Sequence, residues 1–555
     1  MRRAAILTVI SLCASAASAQ QPFISYRGVL NSASFFSQGL PAGSIAQGSI
    51  FTIFGSNLGP SQLVQSSSYP LPNQLAGVSV SVTQGSNTLA AIPIVVLNSQ
   101  VSAIMPSDAA LGQALIRVTY DDQPSNPAVV NVVAGSPGLF SVASTGFGPG
   151  IVQNYISSSN EPLNTTQATA KPSQVLILWG TGLGPVPYAD NIAPTPGNLP
   201  AQVQAFVGNQ PAAVSYSGRS PCCSGLDQVV LTVPQNAPTG CYVPIQITVN
   251  GVPSNAVTAA INTDAATCSD AFNPAGSAVR TGGDNGFVSA SHFDYLVDIG
   301  PNPPGEVTQD ALFAELRQDP GGATSFTPEY GLPPLGTCTV YSGKAFDSVF
   351  STLIFAPQSR ALNGGQAFQV SSSAGSASVG PAPGDSLLFG GLLAENPAVG
   401  ELPTSFFNFP GTFMLSIPGG TDVQQAQVNG TTSAPFQWTN RAGLTSLTRS
   451  SGLTVTWSGG NSSTDVALIA VEANNDAANS GGFALCLAPI SAGTFSVPQV
   501  ILQSLPATPA SAQRIPAWVI VGSESIRSPG TFSATGLKQG YLAPSYMAIN
   551  AIVVN

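Results

Sequence analysis

The run Ile50-Phe51-Thr52-Ile53-Phe54-Gly55-Ser56-Asn57-Leu58-Gly59-Pro60 returns later in the chain as Leu176-Ile177-Leu178-Trp179-Gly180-Thr181-Gly182-Leu183-Gly184-Pro185. Phe54 aligns with Trp179, Gly55 with Gly180, and Leu58-Gly59-Pro60 with Leu183-Gly184-Pro185, all at an offset of 125 residues. Each copy is an apolar run that ends in a Gly/Pro cluster, which is how a buried strand closed by a turn is written. Other matches extend the repeat outward. Residues 101–105 end at Pro106 as 229–233 end at Pro234, and Pro124-Ser125-Asn126 corresponds to Pro253-Ser254-Asn255. Val78, Val80 and Val82 alternate with small polar residues, as on a strand with one buried face. Residues 115–119, 129–133, 203–207 and 213–217 supply further strands. The units 23–135 and 136–263 thus each hold about seven short strands and little helix, the pattern of an immunoglobulin-like β-sandwich. Phe54 and Trp179 are expected to fill equivalent core positions.

Composition agrees with that reading. A chain of 555 residues is too long for one core. Charged residues make up only 7% of it, against roughly 25% in an ordinary soluble domain. With 57 glycines, 47 prolines and 43% hydrophobic residues, the chain is suited to many strands joined by tight turns and can bury a core. A net charge of −10, with no run of Lys or Arg, argues against nucleic acid or an anionic membrane surface as partner.

Residues 1–19 have the layout of an export signal. Arg2 and Arg3 form the charged start, 4–14 the apolar run, and Ala17-Ser18-Ala19 the cleavage site. That run is too short to span a bilayer, and no later stretch reads as a transmembrane helix. The expected location is therefore outside the cytoplasm: secreted, periplasmic or on the cell surface. Export leaves six cysteines, Cys222, Cys223, Cys241, Cys268, Cys338 and Cys486, in an oxidising compartment, and an even number fits three disulfides.

A family resemblance rests on motifs that occur in order. They are Gly28-Val29-Leu30-Asn31-Ser32-Ala33-Ser34-Phe35, the first glycine-closed strand, Ser136-Pro137-Gly138-Leu139-Phe140, the second glycine-closed strand and the late Pro253-Ser254-Asn255-Ala256-Val257. Together they resemble the Solibacter C-terminal domain family, an Ig-like pair in secreted proteins of soil bacteria. The core of the first strand also resembles IPT/TIG domains. The resemblance covers about residues 25–262. It implies fold and extracellular location only, because the family has no established activity, and no catalytic residue carries over. The family module usually closes a chain, whereas here it precedes residues 263–555.

Residues 264–290, rich in Ala, Gly, Ser, Asn and Asp, read as a linker. The remainder, 291–555, reads as one larger β-sandwich region that divides into one or two subdomains. Its best helix is residues 308–318 (TQDALFAELRQ), where Ala311, Leu312, Glu315 and Leu316 make a partial apolar face. Strands are expected at Phe436/Trp438, at Leu453/Val455/Trp457, at 497–505 and at 517–521, with a turn at 461–464. The fold class is all-β: tandem immunoglobulin-like sandwiches followed by a larger β-sandwich region.

Strand geometry orders the cysteines. Cys241 opens one strand and Cys268 follows the last strand of the second unit, so adjacent antiparallel strands bring Cys241 and Cys268 together. Four residues separate Cys222 from the strand starting at Asp227, and Cys241 lies beyond its far end. At about 3.3 Å per residue these two are more than ~20 Å apart, and a disulfide needs Cα atoms within roughly 7 Å. That leaves Cys338 with Cys486, and Cys222 and Cys223 to each other, a vicinal ring that neighbouring Cα atoms only about 3.8 Å apart would strain, so the sequence leaves that pairing open.

Candidate chemistry is sparse, and the residues that carry it also have plain structural roles. Gly180-Thr181-Gly182-Leu183-Gly184 looks like a phosphate loop, but Pro185-Val186-Pro187 follows where a helix would have to open. Ser291-His292-Phe293-Asp294 holds the sole histidine beside a serine and a carboxylate, yet triads assemble in space and not by adjacency. Glu306, Glu315, Glu329, Glu395, Glu401 and Glu472 are candidates for a glycosidase pair by residue type alone. Glu472, Asn474 and Asp476, with Asn475 and Asn479, are expected to form an oxygen-rich loop after a strand, of the kind Ca²⁺ takes, without EF-hand spacing. Trp179, Trp438 and Trp457 sit at strand spacing that favours core packing, and Trp518 completes the set. The most distinctive surface is the loop Tyr216-Ser217-Gly218-Arg219-Ser220-Pro221-Cys222-Cys223. A vicinal disulfide there, flanked by Tyr216 and Arg219, would be rigid enough to seat a sugar or peptide. No catalytic residue, bound cofactor or firm metal site is expected. The functional expectation is an exported binding, adhesion or cell-envelope module whose partner is a polysaccharide or a cell-surface protein. A ligand-free structural spacer and a polysaccharide-acting hydrolase are the alternatives.

Overall fold

The computed structural model describes residues 21–264, 266–297, 305–343, 359–380, 388–392, 406–508 and 517–555. The export segment 1–19, Glu395 and Glu401 lie outside them. The regular secondary structure of the described residues is almost wholly strand. No helix in it is long and apolar enough to cross a membrane.

The first unit is a sandwich of two sheets that share one strand. Phe23–Asn31, Ile50–Ser56 and Gln100–Ile104 form one sheet, and Val78–Gln84, Gly112–Tyr120 and Ala128–Val133 form the other. Asn87–Leu97 belongs to both. Its first half pairs with Val78–Gln84 and its second half with Gln100–Ile104, with a register shift just after Pro93. Proline cannot donate to a ladder, so it fits such a corner. Phe51, Ile53, Val78, Val80, Val82, Val101, Ile116 and Val118 fill the space between the sheets.

The second unit follows the same path. Val175–Thr181 pairs with Asp227–Thr232, as Ile50–Ser56 pairs with Gln100–Ile104. Gln210–Arg219 is the shared strand. It meets Val203–Val207 with its first half and Asp227–Thr232 with its second, and its register shifts between Val214 and Tyr216. Gly240–Val249 and Val257–Ile261 complete the second sheet. One expectation is corrected in both units. Phe54 and Trp179 are only half buried, because the core is filled by Phe51 and Ile53 in one copy and Leu176 and Leu178 in the other. Phe54 packs its ring 6.0 Å from that of Phe35, and Trp179 Nε1 donates to Gln153 Oε1 at 2.7 Å.

The stretch 264–290 is not simply a linker. Asn273 caps a helix, Pro274–Thr281, by accepting from the Gly276 amide, and Gly283 opens a long strand. The two 15-residue strands Gly283–Val297 and Gly305–Asp319 pair along their whole length. This overturns the helix expected at 308–318. Strand periodicity sends Leu312, Ala314 and Leu316 into one core and Glu315, Arg317 and Asp319 to the opposite face. Pairing on both edges, with Gly283–Val297 and Leu388–Leu392, outweighs the helical propensity of Ala, Leu and Glu.

These strands join Ser545–Val554, Ala517–Glu524, Val466–Asn475, Ser480–Pro489 and Thr337–Gly343 in one large sheet. Ser545–Val554 runs parallel to Gly283–Val297, and the other neighbours just named are antiparallel. One face of this sheet is covered twice. A four-stranded sheet (Gly375–Val379, Phe368–Ser372, Thr412–Ile417, Ala426–Thr431) covers one half, and a three-stranded sheet (Phe436–Trp438, Leu453–Gly459, Thr494–Val497) covers the other. Both halves share the large sheet and are not separate subdomains. The strand expected at 497–505 ends at Val497. After Pro498 a short helix, Gln499–Gln503, turns Ile501 and Leu502 into the core.

The cysteines pair as Cys222–Cys223, Cys241–Cys268 and Cys338–Cys486. The last lies between directly facing residues of Thr337–Gly343 and Ser480–Pro489.

The three units are locked to one another. Ile50 N donates to Thr181 Oγ1 at 2.8 Å and Asn31 Nδ2 to the Ser136 carbonyl at 3.0 Å, which joins the first unit to the second. Phe147 meets Tyr341 edge-on at 5.7 Å, and Gln246 Nε2 donates to Ser504 Oγ at 2.8 Å, which joins the second unit to the third.

Candidate ligand site at the junction of the two repeats

The loop singled out by the sequence lies where the two sandwiches meet, but its parts divide the work differently from the expectation. Arg219 ends the strand Gln210–Arg219 and faces Asp227 across the ladder. It is 2% exposed and Asp227 is 1% exposed. One guanidinium nitrogen donates to Asp227 Oδ1. The other donates to the Gly48 carbonyl at 2.6 Å and the Gly184 carbonyl at 2.8 Å. Arg219 is therefore a clamp inside the junction and is not offered to a ligand. Burial pushes the Asp227 carboxyl up, and Arg219 and the Leu183 amide, which donates to Asp227 Oδ2 at 2.8 Å, pull it back.

The repeated turn completes the clamp. Gly184 has φ +131° and Gly48 φ +67°, conformations that favour glycine, and there the two carbonyls face one guanidinium. Thr181 Oγ1 donates to the Gly225 carbonyl at 2.7 Å while accepting from Ile50 N. The 180–184 turn thus spends its groups inside the protein: the Gly184 carbonyl accepts from Arg219 and the Leu183 amide donates to Asp227, so neither is offered to a phosphate.

Tyr216 also serves the scaffold. Its hydroxyl donates to the Arg219 carbonyl at 2.5 Å and accepts from Gly197 N at 3.2 Å. The exposed part of the loop is Pro221-Cys222-Cys223. It is pinned to the first sandwich by Tyr69, whose hydroxyl accepts from Ser224 N at 2.9 Å, and to the segment below by Ser224 Oγ, which donates to the Ile192 carbonyl at 2.8 Å.

Also at this junction is a cleft of about 550 Å³. Asn73, Pro106, Ser107 and Asp108 of the first unit face Val186, Pro187, Tyr188, Asp190 and Asn191 of the second. Asp190 holds the two walls together. Its carboxylate accepts from both the amide and the hydroxyl of Ser107, each at 2.7 Å, and Val186 N donates to Ser107 Oγ at 3.0 Å. Burial raises the Asp190 carboxyl, and the two Ser107 hydrogen bonds oppose this. Sequence reasoning missed these residues. The only available signal was that Pro106-Ser107-Asp108 and Pro187-Tyr188-Ala189-Asp190 each follow a strand-ending motif of the repeat.

The other candidates resolve into structure. Glu472 and Asn474 do not lie in a loop. They are buried in Val466–Asn475, where Asn474 Nδ2 donates to Glu472 Oε1 at 2.8 Å, and only Asp476 is exposed in the turn beyond. Burial raises the Glu472 carboxyl. Among the described residues no three His, Cys, Asp or Glu side chains gather to hold a metal. His292 is buried with Nδ1 2.6 Å from Asp310 Oδ1, while Asp294 pairs with Arg441 at 3.0 Å and Ser291 Oγ bonds Ser545 Oγ at 2.9 Å. Ser291, His292 and Asp294 therefore make no triad. Glu315 Oε2 accepts from Arg317 at 3.2 Å and Tyr330 Oη at 3.1 Å, and Glu329 lies 4.0 Å from the same guanidinium. Glu306 is exposed, 4.0 Å from Arg441. Trp438 and Trp457 are core residues at 5% exposure, whereas Trp518 is half buried beside Tyr295 at 6.5 Å.

No family model and no curated protein matches the chain. Similar solved structures include the plexin A4 extracellular region, at 13% identity and a TM-score of 0.15, covering 46% of this chain and 19% of that one. A second is SGBP-B from a complex xyloglucan utilization locus in Bacteroides uniformis, at 12% identity and a TM-score of 0.16, covering 69% of this chain and 88% of that one. A third is domains 5–6 of the S-layer protein SbsC, at 12% identity and a TM-score of 0.16, covering 44% and 99%. The chain spans about a fifth of the plexin. Likenesses at this level carry no argument about ligand or activity, and the all-β assignment rests on the strand pairing itself.

Proposed function

We propose that this chain is an exported binding or adhesion protein related to the Solibacter C-terminal domain family, with a polysaccharide or a cell-surface protein as its partner. The observation that carries the reading is the cleft at the junction of the two repeats. Neither sandwich forms it alone, and its walls are held in register by Asp190, which accepts from Ser107, and by Arg219, which donates to the Gly48 carbonyl. A cleft fixed in advance spares a ligand the cost of ordering it. Export is supported by the charged start, apolar run and Ala17-Ser18-Ala19 at the beginning of the chain, and by the pairing of the other six cysteines into disulfides.

The second reading, a ligand-free spacer, is favoured by the tight locking of the three units through Phe147, Gln246 and Asn31. The hydrolase alternative has less support, because Glu315 and Glu472 are already engaged by Arg317, Tyr330 and Asn474. Passing residues 20–555 over cell-envelope and polysaccharide fractions separates the readings. A binding protein is retained by at least one fraction, and a spacer by none.

A further inference from the structure

Resting on the binding reading, we infer that the cleft between the two sandwiches takes a neutral, hydroxyl-rich saccharide, and that Tyr188, Asn191, Asn73 and Asp108 recognise it. The volume of about 550 Å³ lies within the range of small-molecule sites, roughly 300–1,000 Å³. The chemistry of the walls then narrows the ligand class.

An anion is disfavoured. Asp108 and Asp190 line the cleft, and the nearby cation, Arg219, already gives its guanidinium to Asp227, Gly48 and Gly184. A metal ion is disfavoured because both Asp190 oxygens are taken by Ser107, which leaves Asp108 as the one carboxylate to bind it. A wholly apolar ligand is disfavoured by the side chains of Asn73, Asn191 and Asp108. These make no hydrogen bond to protein among the described residues, so an apolar occupant would desolvate them without replacement.

A neutral sugar answers each point. Two amides offer donors and acceptors, and a carboxylate accepts from a pair of hydroxyls. The C–H face of a sugar ring needs a flat apolar surface. Tyr188 supplies a ring held in place through its hydroxyl, which accepts from Thr195 N at 3.2 Å and donates to Thr195 O at 3.4 Å, and Pro106 and Pro187 extend the apolar floor.

The test is calorimetric titration of residues 20–555 with cellohexaose, xylohexaose, mannohexaose and laminarihexaose, on the wild type, three cleft variants and one remote control variant. At least one hexasaccharide is expected to bind. Tyr188→Ala and the double variant Asn73→Ala/Asn191→Ala each weaken it about tenfold or more, and Asp108→Asn weakens it without altering the melting curve. Trp518→Ala, remote on the C-terminal sheet, leaves the affinity unchanged. Binding that survives all three cleft variants overturns the site while the binding reading stands. Binding of none of the four sugars also overturns the site, and the fate of the binding reading is then decided separately by the envelope-fraction experiment.

Discussion

Arg219 joins two domains with one side chain. Its partners are 8, 35 and 171 residues away in sequence, at Asp227, Gly184 and Gly48. Removing it would leave Asp227 buried without its counter-charge, which typically costs about 3–5 kcal/mol. Arg219→Ala should therefore lower the denaturation midpoint of the repeat pair by that order. Arg219→Lys should not restore it, because a single ammonium cannot replace the planar fork. This role was illegible in the sequence, where a lone arginine beside Pro-Cys-Cys looks like a surface residue. Its burial is decided by residues that only the fold brings near. Glu524 gives a second prediction at this scale. Burial, and then the charge of Asp465, push its carboxyl up to about 7. A folded pKa above the ordinary value means its contribution to stability is fully present below about pH 4.5 and lost as pH rises through about 7. Glu524→Gln should thus be neutral at pH 4.5 and stabilising at pH 8, by up to about 3 kcal/mol. Urea denaturation at the two pH values checks the sign, and a variant equally stable at both would refute it.

Among the elements, strands with regular alternation were legible and those with mixed signals were not. Val78, Val80 and Val82 face the core as their period-two pattern says. The stretch Gly305–Asp319 misled because Ala, Leu, Glu and Gln favour helix, while the deciding interaction, a ladder on each edge, is non-local. A better local clue was present. Glu315, Arg317 and Asp319 alternate with Ala314, Leu316 and Gln318, and they form a buried network on one face in which Arg317 bonds both carboxylates. The disulfides test element-level stability. Cys338–Cys486 spans 148 residues and Cys241–Cys268 spans 27. In the chain-entropy model the longer loop is worth about 5 kcal/mol and the shorter about 3.5 kcal/mol. Replacing both Cys338 and Cys486 by Ser should therefore depress the thermal transition of the C-terminal unit more than Cys241→Ser/Cys268→Ser depresses that of the second sandwich, as differential scanning calorimetry would read. The reverse order would show that packing, and not loop closure, dominates.

For the whole molecule, three β-rich units are fastened by specific side chains. The first two form a repeat pair in which the second glycine-closed turn lies at the junction instead of on a free surface. The repeat itself was legible because its motifs recur in order, and the cleft was not, because its walls come from two units and no local pattern marks Asn73, Ser107, Tyr188 and Asp190 as neighbours. The central claim is that this scaffold exists to bind. The most direct measurement is the partition of purified residues 20–555 between free solution and immobilised polysaccharide and envelope fractions, with soluble saccharide as competitor. The account predicts retention on at least one fraction and release by the competitor. Complete recovery in the unbound fraction from every matrix would contradict it and leave the chain a spacer.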